Sequence, residues 1–202
     1  MRDTDPEEIL GCTEEEIQHH WPQGRLPTFD NENRPVYMEK TGKIDVHGIL
    51  KITTPEKLLR WHVHSVERCS IAEMGRATRL IRDRDANARA INCNTSILDL
   101  EGFSLGSFMG ETKAYLNKVS EINQNYYPET MGKMLIINAP TVFTAVWSVV
   151  KGWLDPRTVS KIEILGGPNQ YRPRLFEVLG KENTPREYGG EYDCPDGPIF
   201  ET

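Results

Sequence analysis

Apolar and small residues recur at steps of three and four through residues 54–81, at Leu59, Val63, Val66, Ser70, Met74, Ala77 and Ile81. That spacing predicts one long helix, opened by Thr54 with Pro55 in its first position. Leu105, Phe108, Tyr115, Val119, Ile122 and Tyr126 predict a second long helix over 105–126. The continuous apolar run at 133–138 reads as a buried strand, with further strands at 34–40, 90–99 and 161–165. Helices are expected at 141–153 and 172–179, and Thr13-Glu14-Glu15-Glu16 opens a short one as a capping box. Residues 1–8 read as a ragged tail, Pro22, Gly24 and Pro27 as breakers, and 30–33 as a turn. Residues 44–49 read as irregular, and Gly166-Gly167-Pro168 as the stop after the last strand. Strands alternating with long helices imply an α/β fold, with a mostly parallel sheet flanked by helices.

The densest apolar window is 134–154, where 14 of 21 residues are apolar, no carboxylate occurs and Lys151 is the single charge. Phe143, Val146, Trp147, Val150 and Trp153, with Val142, Ala145 and Val149, leave this helix almost no polar side. A helix apolar all round is expected to be buried on every side. It is either wholly in core, or it has core on one side and an apolar ligand on the other.

The 202 residues suffice for one domain with a real core. Apolar runs stop at four residues, and Met1-Arg2-Asp3-Thr4-Asp5 has no apolar secretory stretch. Neither a membrane span nor secretion by that route is expected. Cys12, Cys69, Cys93 and Cys194 match neither a zinc knuckle nor a CxxC pair, so reduced thiols are expected. The net charge of −6 is uneven: −7 over residues 1–32, +6 over 33–186 and −5 over 187–202. A basic body between acidic ends favours an anionic surface that the total charge hides.

Gly102-Phe103-Ser104-Leu105-Gly106 matches the GxSxG nucleophile elbow, between an expected strand and helix. All five histidines precede Ser104, however, so the base that a serine esterase needs after its nucleophile is missing. Ser104 reads instead as a helix cap. No phosphate loop of the GxxxxGK[ST] type occurs. His62 and His64 diverge by about 200° on a helix and do not make a metal pair. Arg76, Arg79, Arg82, Arg84 and Arg89 read as a solvated helix face, with contact to anionic phosphate as the functional alternative. The run lacks interleaved aromatics, which argues against single-stranded nucleic acid.

Three blocks then carry a resemblance. They are Asn125-Tyr126-Tyr127-Pro128-Glu129-Thr130-Met131-Gly132-Lys133, Ile136-Ile137-Asn138-Ala139-Pro140 and Leu154-Asp155-Pro156-Arg157-Thr158-Val159-Ser160-Lys161-Ile162. With Arg34-Pro35-Val36-Tyr37, Asp99-Leu100-Glu101-Gly102 and Tyr188-Gly189-Gly190, they resemble the CRAL-TRIO lipid-binding domain, on its phosphatidylinositol/phosphatidylcholine transfer branch. The resemblance implies an apolar pocket for one phospholipid. It makes the helix around 141–153 the gate, lined by Phe143, Val146, Trp147, Val150 and Trp153. It places the inositol headgroup on Glu129, Thr158 and Lys161. Where the phosphatidylcholine branch has a Ser, a Thr and a Tyr, this chain has Asn94, Ser96 and Val63, so Asn94 and Ser96 join the headgroup set.

The charge distribution and the capping box put an acidic segment with a short helix at 1–24 and an acidic tail at 193–202, and the resemblance puts the lipid-binding domain at 25–192 between them. The family's N-terminal helical module is expected to be absent. A non-enzymatic, monomeric, cytoplasmic protein is expected, peripheral on anionic membranes, with no metal, cofactor or nucleic acid. It would bind a single phospholipid, of the phosphatidylinositol type by preference with phosphatidylcholine also admitted, and exchange it between membranes or present it to lipid-modifying enzymes; the alternative is a lipid-sensing regulatory or protein-binding module without transfer.

Overall fold

Five strands form one sheet whose spatial order follows the chain: β1 (Gln23–Phe29), β2 (Pro35–Glu39), β3 (Asn94–Asp99), β4 (Met131–Ile137) and β5 (Ile162–Ile164). The computed structural model describes residues 5–193, apart from the side chains of Arg68 and Cys69. Cys194 and the tail from 194 onward lie outside the described residues, as do residues 1–4. β1 and β2 pair antiparallel, and the other three pairings are parallel, as the alternation of elements predicts.

Ten α-helices accompany the sheet among the described residues. They are α1 (Pro6–Leu10), α2 (Glu14–His20), α3 (Val46–Ile52), α4 (Pro55–Ser65), α5 (Ile71–Arg82), α6 (Leu105–Phe108), α7 (Glu111–Tyr126), α8 (Phe143–Val150), α9 (Pro156–Ser160) and α10 (Pro168–Leu179). Parallel strands in sequential order need crossovers of one hand, which gathers the connecting helices on one face. On that face α8 packs Phe143 and Val146 against Leu98, Met134, Ile136 and Ile162. On the other, α10 packs Tyr171, Leu175, Val178 and Leu179 against Val36, Met38, Ile97, Leu135 and Ile137.

Several expectations are corrected. Residues 23–29 are a strand despite Gly24 and Pro27. β1 is an edge strand with a register shift between Arg25 and Phe29, where a residue without an N–H costs no ladder bond. Residues 46–52 are helical, because the Asp45 carboxylate accepts from Gly48 N at 3.0 Å and caps α3. Residues 6–8 are not ragged: Asp5 caps α1, and Leu10 and Ile17 are buried against Ile49 and Leu58.

The long helix over 54–81 is nearly continuous, but a π-helical turn at Val66–Ser70 inserts between α4 and α5. The helix over 105–126 breaks at Gly110, whose φ of 62° only glycine adopts readily. Pro168 does not stop the chain after β5; it is the first residue of α10. The third strand starts at Asn94, four residues later than expected.

The C-terminal end of the sheet is tied by one buried carboxylate. Asp99 accepts from Glu101 N at 2.9 Å, Asn138 Nδ2 at 2.8 Å and Tyr188 Oη at 2.9 Å. Burial and the adjacent Asp99 hold the Tyr188 phenol protonated. Tyr188→Phe removes one of these three donors and is expected to cost about 1–2 kcal/mol. A urea melt with an unshifted midpoint would count against that role.

Candidate functional site

The N-terminal edge of the parallel strands brings Glu129, Thr158 and Lys161 together. Asp155 caps α9 by accepting from Arg157 N at 2.8 Å and Thr158 N at 3.0 Å, and its second oxygen accepts from the Thr158 hydroxyl. These hydrogen bonds hold the Asp155 carboxyl below its usual range. Lys161 follows at the end of α9, and its N–H donates to Thr158 O at 3.1 Å. Its ammonium donates to Glu129 Oε2 at 2.6 Å and to Met131 O at 3.0 Å.

Glu129 sits at φ 62° in the turn before β4, and the Lys161 hydrogen bond lowers its pKa. β3 is tied to the same turn by Asn94 N donating to Thr130 O at 2.9 Å. The Tyr127 hydroxyl bonds Glu67 at 3.0 Å, and burial with that carboxylate pushes its pKa up to about 12.

The sheet face under α8 is itself amphipathic. Cross-strand partners share a face. One row therefore runs Arg25, Tyr37, Ser96, Met134, Ile162, and the next Gln23, Glu39, Leu98, Ile136, Ile164. Asn94 lies two residues before Ser96 on the same face. The floor is thus polar over β1, β2 and the start of β3, and apolar over β4 and β5.

Above the apolar half, Phe143, Val146, Trp147, Val150 and Trp153 all join the same cluster, with Phe103 edge-on to Phe143 at 5.7 Å and Phe108 stacked on Trp153 at 6.3 Å. The expectation that this helix is buried on every side is overturned. Thr144, Ala145, Ser148 and Val149 face solvent, and Val142 and Val149 are 46% and 38% exposed. α8 is a cover with an uncharged outer side that mixes Thr144 and Ser148 with Ala145 and Val149, not a central core helix.

The polar half contains residues that the sequence reading missed. The Tyr37 hydroxyl lies 2.5 Å from Gln23 Oε1 and 2.9 Å from Glu39 Oε2, and Thr41 Oγ1 donates to Glu39 Oε1 at 2.8 Å. Burial raises the Glu39 pKa against these hydrogen bonds, and burial likewise raises Tyr37 and Tyr115. Gln23 Nε2 and Trp61 Nε1 are buried without a hydrogen-bond partner among the described residues. The available signal was the alternation in β2, where Val36 and Met38 face α10 while Tyr37 and Glu39 face the other way. Val63 is half-buried on α4 and belongs to none of the three apolar clusters.

The rejected motifs resolve simply. Ser104 Oγ accepts from Ser107 N and caps α6. His62 bonds Asn123 at 2.8 Å, and burial lowers its pKa. Arg76 stacks on Phe29 at 4.7 Å and pairs with Glu73, while Arg79, Arg82, Arg84 and Arg89 are exposed. Among the described residues no helix is long and apolar enough to cross a membrane, and no His, Cys, Asp and Glu cluster is arranged to hold a metal.

The phosphatidylinositol/phosphatidylcholine transfer protein SFH9 of Arabidopsis thaliana is 40% identical over 180 residues, covering 89% of this chain and 30% of that protein. The Sec14 cytosolic factor of Schizosaccharomyces pombe is 35% identical over 183 residues, covering 91% and 60%. The SEC14 cytosolic factor of Yarrowia lipolytica is 38% identical over 179 residues, covering 87% and 34%. The chain therefore spans between about a third and three fifths of the length of these relatives. The crystal structure of Sfh5 matches with a TM-score of 0.57 at 23% identity, over 81% of this chain and 54% of that one, which supports the fold. A family model described as the CRAL/TRIO domain matches residues 24–190. On this match and these identities, the chain belongs to the CRAL/TRIO domain family.

Proposed function

We propose that this chain binds one phospholipid between α8 and the sheet, favours a phosphatidylinositol headgroup, and exchanges it between membranes or presents it to lipid-modifying enzymes. The observation that carries the reading is the amphipathic floor, polar on β1 to β3 and apolar on β4 and β5 beneath the apolar inner side of α8. The curated relatives are named as phosphatidylinositol/phosphatidylcholine transfer proteins and Sec14 cytosolic factors.

Two acyl chains carry about 30 methylenes at about 0.8 kcal/mol each, so exposing them in water costs roughly 20 kcal/mol or more. Phe143, Val146, Trp147, Val150 and Trp153 would replace water around them, while α8 opens only at a bilayer. Lys161 supplies positive charge to the inositol phosphate, and Thr158 and Glu129 bond its oxygens and hydroxyls. Asn94 and Ser96 extend the polar end inward. No bond is made or broken, so the protein acts without a nucleophile, general base, cofactor or metal. It works as a cytoplasmic monomer that touches anionic leaflets transiently through its basic body. The lipid-binding unit is placed at 25–192, between an acidic segment at 1–24 and an acidic tail at 193–202.

Incubation with mixed vesicles followed by mass spectrometry should recover one phospholipid per chain. Recovery of no lipid would remove the proposal. A lipid-sensing module is the second reading, supported by the extensive polar network around Glu39. It binds lipid without moving it between donor and acceptor vesicles.

A further inference from the structure

Arg25 stands out on the floor of the sheet. It is half-buried on β1 opposite Tyr37, on the face that α8 covers in part. Among the described residues it forms no ion pair, and its one hydrogen bond, from Nη2 to Ser70 Oγ, is long at 3.4 Å. A guanidinium partly removed from water without a counter-charge is costly, and its forked N–H donors fit phosphate oxygens.

Two further polar groups nearby are uncommitted. The Asn94 side-chain amide and the Ser96 hydroxyl make no side-chain hydrogen bond among the described residues. Arg25, Ser70 and Asn94, with Pro35, Val36 and Tyr37, bound a cavity of about 10 Å³. That is room for one water-sized group, the size of a single phosphoryl oxygen. Glu39, the acid of the same two strands on this face, already accepts from Thr41 Oγ1 at 2.8 Å and lies 2.9 Å from the Tyr37 hydroxyl. The Glu39 carboxylate is thus taken up by neutral donors, and Arg25 is left as a cation on this face without an ion-pair partner among the described residues. A choline would bring a second cation to it, whereas a terminal phosphate oxygen would enter the cavity and meet three donors.

We propose that Arg25, Ser70 and Asn94 form a phosphoryl-binding subsite, through which this chain takes a phosphate-monoester lipid of the phosphatidic acid type in preference to a choline lipid. The subsite rests on the lipid-binding reading above; it shares Asn94 with the polar end described there and uses none of Glu129, Thr158 and Lys161.

The test loads the full chain from vesicles of equal phosphatidylinositol, phosphatidic acid and phosphatidylcholine, and quantifies recovered lipid by mass spectrometry. The wild type should recover phosphatidic acid over phosphatidylcholine. Arg25→Gln should lower that ratio about tenfold, the loss expected for one charge-assisted hydrogen bond. Arg25→Lys keeps the charge and should fall between the two. An unchanged ratio in Arg25→Gln, or a wild type that prefers phosphatidylcholine, overturns the subsite. Should circular dichroism show Arg25→Gln unfolded, Ser70→Ala and Asn94→Ala carry the same test, and each should lower the ratio.

Inorganic phosphate should not displace phosphatidic acid beyond chloride of equal ionic strength. Displacement would assign the subsite to free phosphate and overturn its lipid role. Absence of every lipid from the wild type defeats the lipid-binding reading itself. Phosphatidylinositol loading with an unaltered ratio in Arg25→Gln defeats the subsite alone.

Discussion

Lys161→Ala is expected to reduce phosphatidylinositol loading by roughly 10–100-fold, while phosphatidylcholine loading falls far less. A hydrogen bond to a charged group contributes about 1.5–3 kcal/mol, and each 1.4 kcal/mol is about tenfold. Lys161 is suited to that role because its ammonium is already ordered by Glu129 Oε2 at 2.6 Å and Met131 O at 3.0 Å. Much of the entropy of fixing a long side chain is spent before the lipid arrives. An inositol phosphate can take the place of Glu129 as acceptor, since that carboxylate is largely solvent-exposed and gains little from the pair. Thr158 is one turn away on α9, with its hydroxyl held by Asp155. Competition loading from mixed vesicles checks the prediction. Equal losses of inositol and choline lipids in Lys161→Ala would remove the headgroup role.

The sequence made the long elements legible because their apolar period runs through many residues. It hid the short ones. α1, α3 and α9 each have a capping aspartate, at Asp5, Asp45 and Asp155, but only five to seven residues in which a period can show. β1 was hidden by Gly24 and Pro27, which an edge strand tolerates and a central strand would not. The headgroup residues illustrate the same limit at the level of the site. Glu129 and Lys161 are 32 positions apart and meet because β4 and β5 are neighbours in the sheet.

Their grouping comes from the resemblance; spacing and local chemistry alone do not bring them together. Arg25, Tyr37 and Glu39 were out of reach for a different reason. Alternation separates Tyr37 and Glu39 from Val36 and Met38, yet it cannot say which face α8 will cover. That is fixed only by the handedness of the crossovers and the docking of α10 on the opposite side.

Val149→Asp on the outer side of α8 is expected to slow vesicle-to-vesicle lipid transfer by roughly 100-fold. A carboxylate carried into hydrocarbon costs about 2.5–3.5 kcal/mol on insertion scales. The outer side of α8 carries no charged residue and exposes Ala145 and Val149 beside Thr144 and Ser148, with Val142 just before the helix 46% and Val149 38% exposed. α6 packs beside α8, and Leu105 at its start and Met109 just after its end are 45% and 64% exposed, so exposed apolar residues extend beyond α8. The inner side of α8 is a different environment. Val146 is 4% exposed against the sheet, and an aspartate there would be a buried unpaired charge that destabilises the fold. At Val149, 38% exposed, the aspartate keeps contact with water while the protein is closed, so the larger part of its penalty arises when α8 meets the bilayer. The variant should therefore keep a wild-type melting temperature and fail at exchange. A transfer rate equal to wild type would mean that α8 opens without entering the membrane surface.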